Sequence, residues 1–354
     1  MRIAIEAAPL ALPSSGLARY TGELSVALAQ SFPGDEFFLL SDQPFDMPRD
    51  APANLKRASG PRNAVERRWW LWGLAKELER MGADLVHGPD FAVPYIPRRP
   101  SVLTLHDLSP WLDPSWHHAA GRVRHRTPVL LELGLATMVI TPGEAVRKQA
   151  IERFRLRPDR VAAVPEAAAS WFHPVPQPVA AVAETPYFLF VGTLEPRKNL
   201  PLLVEAWREV RRKHTVDLVL AGRRRADAPP LAEEPGLRLA GEVPDTVLPA
   251  LYSGALAFVY PSHYEGFGLP VLEAMQCGAC VIASPAVAEA AGEAALYADS
   301  AAELAAAMTA VIERPELAAQ FRAKALVHAA DFSWERTARL TYAVYLEACR
   351  RFGD

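Results

Sequence analysis

The segment Tyr260-Pro-Ser-His-Tyr-Glu-Gly-Phe-Gly-Leu-Pro-Val-Leu-Glu273 follows the short apolar run Ala257–Tyr260 and leads into Leu269–Cys277. Apolar and aromatic residues running into a glycine-containing turn predict a buried strand. Pro270 suits the first turn of a helix, where its missing N–H costs nothing. Gly266 and Gly268 allow the tight turn between the two elements. The segment therefore reads as strand, loop and helix, the unit from which parallel sheets are built.

The same alternation extends in both directions. Strands are expected at Arg2–Glu6, Phe37–Leu40, Asp84–His87, Val102–Leu105, Met138–Thr141 and Val161–Val164. A second series is expected at Tyr187–Val191, Val216–Ala221, Leu237–Ala240, Ala257–Tyr260 and Val281–Ser284. Helical patterns fill the gaps, among them Leu17–Ser31, Val65–Met81, Asn199–Lys213, Leu269–Cys277 and Ala302–Ile312. At about 150 residues per domain, 354 residues suggest two domains. The proline-rich stretch Pro174–Pro178, followed by Ala180–Pro186, reads as a stiff linker between them. The expected organisation is a domain over 1–183, a second over 184–335, and a final helix, 336–354, returning to the first. Two open α/β sheets place ligands beyond the carboxyl ends of their strands, so functional residues are sought there.

Composition narrows the function classes. Half the residues are hydrophobic and 22% are charged, as in ordinary globular proteins. A net charge of −3 argues against nucleic acid as a bulk-charge partner. Residues 1–183 carry net +2 and residues 184–354 net −5. Three cysteines, Cys277, Cys280 and Cys349, are too few for a disulfide scaffold and fit a reducing compartment. Cys277 and Cys280 have redox spacing, but they follow a helix instead of opening one, so they read as packing residues. No apolar run reaches the ~18 residues of a spanning helix. Glu6 interrupts what would be a signal-peptide core, and the expectation is a cytoplasmic protein.

Three constellations carry chemistry. Glu265 on the turn and Glu273, eight positions on and about one turn into the helix, can address one extended ligand at two points. Carboxylates accept well from paired hydroxyls of sugars and ribose. A capped helix with solvated glutamates is the alternative. In Val191-Gly-Thr-Leu-Glu-Pro-Arg-Lys-Asn199, Arg197 and Lys198 precede a helix at a strand's carboxyl end. They could neutralise a diphosphate or simply form an exposed basic loop. His106 and Asp107 end the strand Val102–Leu105, where a histidine is either a ligand contact or a structural hydrogen-bonding group. His117, His118 and His125 lack metal spacing, and neither an Asp-x-Asp pair nor a phosphate-binding loop of the G-x-x-x-x-G-K type occurs.

The Glu265–Glu273 pair, with Ala274-Met-Gln-Cys-Gly-Ala-Cys-Val-Ile-Ala-Ser284 after it, resembles the two-glutamate motif of family 4 retaining glycosyltransferases. These have the GT-B fold: two doubly wound Rossmann-like domains facing a central cleft. The resemblance runs over nearly the whole chain. It implies a nucleotide-diphosphate sugar as donor and a glycan or lipid-linked molecule as acceptor. No cofactor is expected, and without an Asp-x-Asp pair metal dependence is not expected either.

By the same resemblance, Glu265 contacts the donor sugar, Glu273 the ribose, and the backbone of Gly266, Phe267, Gly268 and Leu269 the sugar and diphosphate. Lys198 matches the family's phosphate lysine. Thr193 stands where many members have arginine, which makes Arg197 the second cation. That departure is shared with bacterial polysaccharide mannosyltransferases and points to GDP-mannose. Gly16, Arg19 and Tyr20 match the family's first loop, with Ser15 replacing a glycine. His106 is implied as a sugar-positioning residue oriented by Asp107, and Glu289 as a residue near the base and ribose. Arg147 matches a family arginine, while Glu166 replaces a family asparagine and could repel a phosphate or contact a hydroxyl.

Trp70, Leu74, Leu78 and Met81 share a helical stripe and are expected in the core. Trp69 and Trp72 fall off it, beside Arg68 and Lys76, as a candidate peripheral membrane contact. Two other classes remain open: an epimerase or phosphorylase of the same architecture, and a non-catalytic sugar-binding protein.

Overall fold

The computed structural model describes residues 1–11, 16–116, 120–175, 185–231 and 234–353. The expectations at Ser15, His117, His118 and the centre of the proline-rich linker lie outside these residues. The chain forms two compact units, Met1–Glu166 with Ser333–Asp354, and Ala167–Phe332.

The first unit holds the strands β1 (Arg2–Glu6), β2 (Glu36–Leu40), β3 (Leu55–Arg57), β4 (Leu85–Gly88), β5 (Ser101–Thr104), β6 (Met138–Thr141) and β7 (Val161–Ala163). Its first five helices are α1 (Gly16–Ser31), α2 (Leu74–Met81), α3 (Ser109–Leu112), α4 (Gly121–Glu132) and α5 (Glu144–Phe154). The strands form one sheet in the order β3-β2-β1-β4-β5-β6-β7. All the pairings are parallel, with Ile3 opposite Phe37 on one side and Leu85 on the other. Ile3, Ala4 and Ile5 are buried in succession, as expected for a strand covered on both faces.

The second unit repeats this plan with β8 (Tyr187–Val191), β9 (Asp217–Ala221), β10 (Leu237–Gly241), β11 (Phe258–Tyr260), β12 (Val281–Ala283) and β13 (Leu296–Tyr297). Its helices are α6 (Leu200–Arg211), α7 (Leu248–Gly254), α8 (Leu269–Gln276), α9 (Ala288–Ala291), α10 (Ala301–Glu313) and α11 (Pro315–Ala329). The sheet order is β10-β9-β8-β11-β12-β13. In both sheets the chain winds one way and then reverses, at β1/β4 and at β8/β11. The carboxyl ends of the strands at such a reversal form the ligand crevice of open α/β sheets.

The final helix, α12 (Trp334–Arg351), belongs to the first unit and packs on α1. Ser333 caps it by accepting from the Arg336 N–H at 3.2 Å. Thr337 Oγ1 donates to the Pro165 carbonyl at 2.7 Å, fixing the helix start beside the segment that leaves β7.

The units divide at Glu166, not at the expected residue 183. Ala168, Ala169 and Phe172 are buried in the core of the second unit. Gln276 Nε2 donates to the carbonyls of Ala169 and Phe172 at 3.0 and 2.8 Å. The Val175 N–H donates to Ser253 Oγ. Proline content marked an extended segment but could not show which core its flank joins. The two strands absent from the sequence reading are β3 and β13. The first is an edge strand of three residues with Lys56 and Arg57 exposed, and the second has two residues. Neither is long enough to show a period.

The tryptophan stripe needs a correction. Trp69 is buried, whereas Trp70 is only half-buried. Residues Trp69–Gly73 form a π-helical turn, in which the N–H of Leu74 reaches the carbonyl of Trp69. The wider turn inserts one residue, so Trp69 aligns with Leu74 and Leu78 in one apolar cluster. Trp72 stays exposed as expected. Among the described residues no helix is long and apolar enough to cross a membrane.

Gly222, at the end of β9, has φ +140° and lies directly against the loop after β8. A Cβ there would meet the Gly192 carbonyl oxygen at 2.0 Å. Gly222→Ala is expected to destabilise the protein by about 2 kcal/mol or more, measured by urea denaturation. Gly34→Ala, where a Cβ meets nothing within 4 Å, should change stability by less than about 0.5 kcal/mol.

Candidate active site

In the second unit the loops after β8 and β11, the two strands of the reversal, meet around Glu265. Lys198 Nζ donates to Glu265 Oε1 at 2.6 Å and to the Tyr260 hydroxyl at 2.5 Å. Arg197 Nη1 donates to Glu265 Oε2 at 2.9 Å and to the Tyr264 carbonyl at 2.7 Å. The other face of the guanidinium turns to Glu195, with Nη2 2.8 Å from Oε1. Arg225, from the loop after β9, pairs with both Glu195 and Asp227.

The local fold explains this convergence. Pro196–Lys198 form a 3-10 turn, and Asn199 takes a left-handed conformation before α6, so Arg197 and Lys198 turn inward instead of continuing the helix. The backbone closes the cluster, because the His263 N–H donates to the Arg197 carbonyl.

Burial shapes the charges. The side chains of Arg197, Lys198 and Glu265 are each about 10% exposed or less. Burial alone would raise the Glu265 carboxyl, but Arg197 and Lys198 overcome it and hold the group at about 2. Burial, with repulsion from Arg197, pushes the Lys198 ammonium down, opposed by Glu265 and Glu195. Burial raises the Tyr260 hydroxyl well above its ordinary value. The alternative of an exposed basic loop is thus set aside by the geometry.

Glu273 lies one turn into α8 and is buried, so it is not a solvated glutamate; its Oε2 accepts from the Tyr252 hydroxyl at 3.1 Å. The helix begins at Leu269, behind Gly268 at φ +114°, with no side-chain cap. A Cβ on Gly268 would come within 2.9 Å of Val287 Cγ1. The first-turn N–H groups of such a helix attract anions. Phe267 packs edge-on against Phe332, and Gly266 is partly exposed beside it. Glu289 stands exposed at the start of α9. Cys277 and Cys280 are buried, and burial pushes their thiols up to about 12 and about 11, which suits packing and not redox chemistry.

In the first unit, Gly16 is exposed at the first residue of α1. His106 follows β5. Its Nε2 is 2.7 Å from the Pro89 carbonyl and its Nδ1 3.1 Å from Glu166 Oε1. The Tyr20 ring meets it edge-on, with centroids 4.6 Å apart. Asp107 does not orient this ring. Its Oδ1 accepts from the N–H and hydroxyl of Ser109, the first residue of α3, at 2.9 and 2.6 Å. Arg147 bonds the carbonyls of Val161 and Pro158, tying α5 to the start of β7.

Behind His106, a second histidine is fully buried. His87 bonds the Tyr345 hydroxyl through Nδ1 and Thr104 Oγ1 through Nε2, both at 2.7 Å. Burial, helped by His106, pushes His87 down to about 3, so it is neutral.

Sequence reasoning missed Glu195, Arg225 and the Tyr260 hydroxyl. Glu195 sits in the same quoted loop as the basic pair. Arg223-Arg224-Arg225 is a basic run at a strand's carboxyl end, which was the available signal for Arg225.

Two doubly wound units, one of them holding a basic pair against a glutamate at its reversal point, define a GT-B glycosyltransferase. The comparisons place the chain more narrowly. Residues 14–168 match the model of Glycosyltransferase Family 4, and residues 185–314 match that of Glycosyl transferases group 1. The O-antigen chain mannosyltransferase B of Escherichia coli is 31% identical, over 98% of this chain and 99% of that protein. Sucrose-phosphate synthase from Thermosynechococcus elongatus superimposes with a TM-score of 0.75 at 20% identity, over 98% of both chains. Anabaena HepE, solved with UDP and glucose, gives 0.73 at 17% identity, over 98% of this chain and all of that one. The chain belongs to the family 4, or group 1, glycosyltransferases.

The ion cluster carries a pH signature. The Glu265 carboxyl is lowered in the folded state from 4.5 to about 2. Its contribution to stability is complete above pH 4.5 and is lost as pH falls through the folded value. Glu265→Gln leaves two buried cations without their carboxylate and should cost about 3 kcal/mol at pH 7. Urea titrations at successive pH values should show the difference from wild type shrinking below pH 4.5.

Proposed function

We propose that this glycosyltransferase moves mannose from GDP-mannose, with retention at the anomeric carbon and without a metal ion, to a glycan or lipid-linked acceptor in polysaccharide synthesis. The observation that carries the chemistry is the convergence of Arg197 and Lys198 on Glu265 at the reversal point of the second sheet. The mannosyl donor and the polysaccharide role are supported by the full-length relative.

Arg197, Lys198 and the start of α8 receive the diphosphate, which supplies cationic charge from the protein itself. Glu265 takes the sugar hydroxyls, Glu273 the ribose, and Gly266 to Leu269 follow the sugar and diphosphate. Glu289 lies toward the base and ribose. Gly16, the first residue of α1, is assigned to the phosphates, and His106 positions the transferred sugar. The bond from the anomeric carbon to the diphosphate oxygen breaks. The acceptor oxygen bonds the same carbon on the same face, and the acceptor's proton passes to the departing phosphate oxygen. The products are the glycosylated acceptor and GDP.

The first unit offers room for an acceptor. A polar recess of about 600 Å³ lies beyond the ends of β2 and β3, lined in part by Asp42, Arg57, Ser59 and Arg67. A lipid-linked acceptor also fits the exposed face of Val65, Leu71 and Trp72, which stand among Arg67, Arg68 and Lys76. Apolar and basic side chains together suit a peripheral position on an anionic membrane.

The test is a thermal-shift panel of GDP, UDP, dTDP and ADP, then transfer assays with the matching sugar conjugates. GDP should raise the melting temperature selectively, and GDP-mannose should be consumed with an α-linked product. A selective UDP shift would overturn the donor assignment. Lys198→Ala and Arg197→Ala, checked for folding by circular dichroism, should each lower kcat/KM by about 100-fold or more. Leu71→Ala with Trp72→Ala should reduce binding to anionic liposomes; unchanged binding would exclude the membrane contact.

A further inference from the structure

His106 has no ring nitrogen left over for a substrate proton. Nε2 faces the Pro89 carbonyl at 2.7 Å, and a carbonyl has no proton to give, so Nε2–H donates there. Nδ1 faces Glu166 Oε1 at 3.1 Å. The ionised form of Glu166 has no proton to give either, and with it Nδ1–H donates as well. Both N–H groups then point into the protein and the ring is an imidazolium. Glu166 is buried, with 6% of its side chain exposed, and it comes from a segment 60 residues away in sequence.

We propose that Glu166 is a positioning residue that keeps His106 cationic and locks its ring, so that His106 offers the donor a fixed positive charge and neither accepts a proton nor acts as a base. The catalytic part of this inference rests on the reading that His106 meets the transferred sugar. A cationic ring with both N–H groups engaged meets a bound sugar by its charge and its fixed orientation, and it cannot take a proton from the acceptor.

The surroundings agree. The titratable groups facing the ring are Glu166 after β7, Asp90 after β4, His87 within β4 and Tyr20 from α1. Burial pushes the His106 imidazole down. The hydrogen bond and charge of Glu166, the Pro89 carbonyl and Asp90 outweigh it, and the net direction is up. His87 is neutral, and the Tyr20 hydroxyl is held protonated by burial. Two carboxylates are thus the charges that sustain the cation, and Glu166 alone bonds it.

Because the folded value is raised, the cation is present at low pH and is lost as pH rises through that value. In Glu166→Gln the hydrogen-bond partner remains and the charge goes, so burial should win.

The experiment is a histidine NMR titration of the full chain, with His106→Gln supplying the assignment. In wild type His106 should titrate above 6.5, and in Glu166→Gln below it. The alkaline limb of the kcat–pH profile for mannosyl transfer should move to lower pH by the same interval, and kcat at pH 8 should fall about tenfold or more. Glu166→Asp, which keeps the charge, should restore both the titration and the limb. A His106 titration unchanged in Glu166→Gln overturns the proposal, whatever the activity does. If Glu166→Gln fails to fold, Glu166→Asp decides: titration of its His106 below 6.5 overturns the proposal. A wild-type kcat in His106→Gln overturns the sugar-positioning role on which the catalytic part depends, and leaves the charge pairing standing on the NMR result.

Discussion

A buried carboxylate between two buried cations is the constraint around which the second unit is arranged. Glu265 cannot lose Arg197 and Lys198 without becoming an unpaired buried charge, and they cannot lose it. The cluster closes on itself: Arg197, Lys198 and Arg225 stand against Glu195, Glu265 and Asp227. In the absence of a ligand the basic pair is therefore already neutralised, and its geometry is held without a phosphate. On the proposed reading, an incoming diphosphate meets cations that need no assembly, which reduces the reorganisation that binding must offset. The same neutrality means that anion binding competes with Glu265 for Lys198. The proposed donor sugar, which gives Glu265 hydroxyls to accept from, relieves that competition.

The first unit solves a related problem with two histidines in opposite states. His87, sealed between Tyr345 and Thr104, is neutral because burial has no nearby carboxylate bond to oppose it. The same thread continues through Thr104 to the Tyr20 hydroxyl at 3.2 Å and then to the edge of the His106 ring. The ring of His106 lies among the same elements, yet Glu166 and Asp90 turn the balance the other way. The difference is two nearby carboxylates, of which Glu166 alone bonds the ring.

Much of this was legible in the sequence. β-branched and aromatic runs between helical patterns located eleven of the thirteen strands among the described residues to within a residue or two, and Arg197, Lys198, Glu265 and His106 were singled out at their carboxyl ends. What escaped has physical causes. The π-turn at Trp69–Gly73 shifts a helical stripe by one residue, and no propensity marks it. Asp107 lies next to His106 in sequence, yet bonds Ser109, whereas Glu166 reaches the ring from 60 residues away. Glu166 read as an oddity where asparagine is usual, because a pairing made through the fold leaves no local pattern.

The first unit is assembled from two separate stretches of chain, and the second lies entirely between them. This imposes an order on biosynthesis. When the ribosome has released residue 332, every residue of the second unit exists, but the first still lacks α12. Until then α1 has no helix across it, Phe32 lacks the Tyr342 ring that stacks on it at 3.7 Å, and His87 lacks the Tyr345 hydroxyl. Domains fold as units while the chain emerges. Here the part made first is completed last, and its apolar flank stays open for the time needed to translate the intervening 166 residues. A nascent chain of this design therefore passes through a stage with one finished unit and one waiting, the stage at which a chaperone would find its surface.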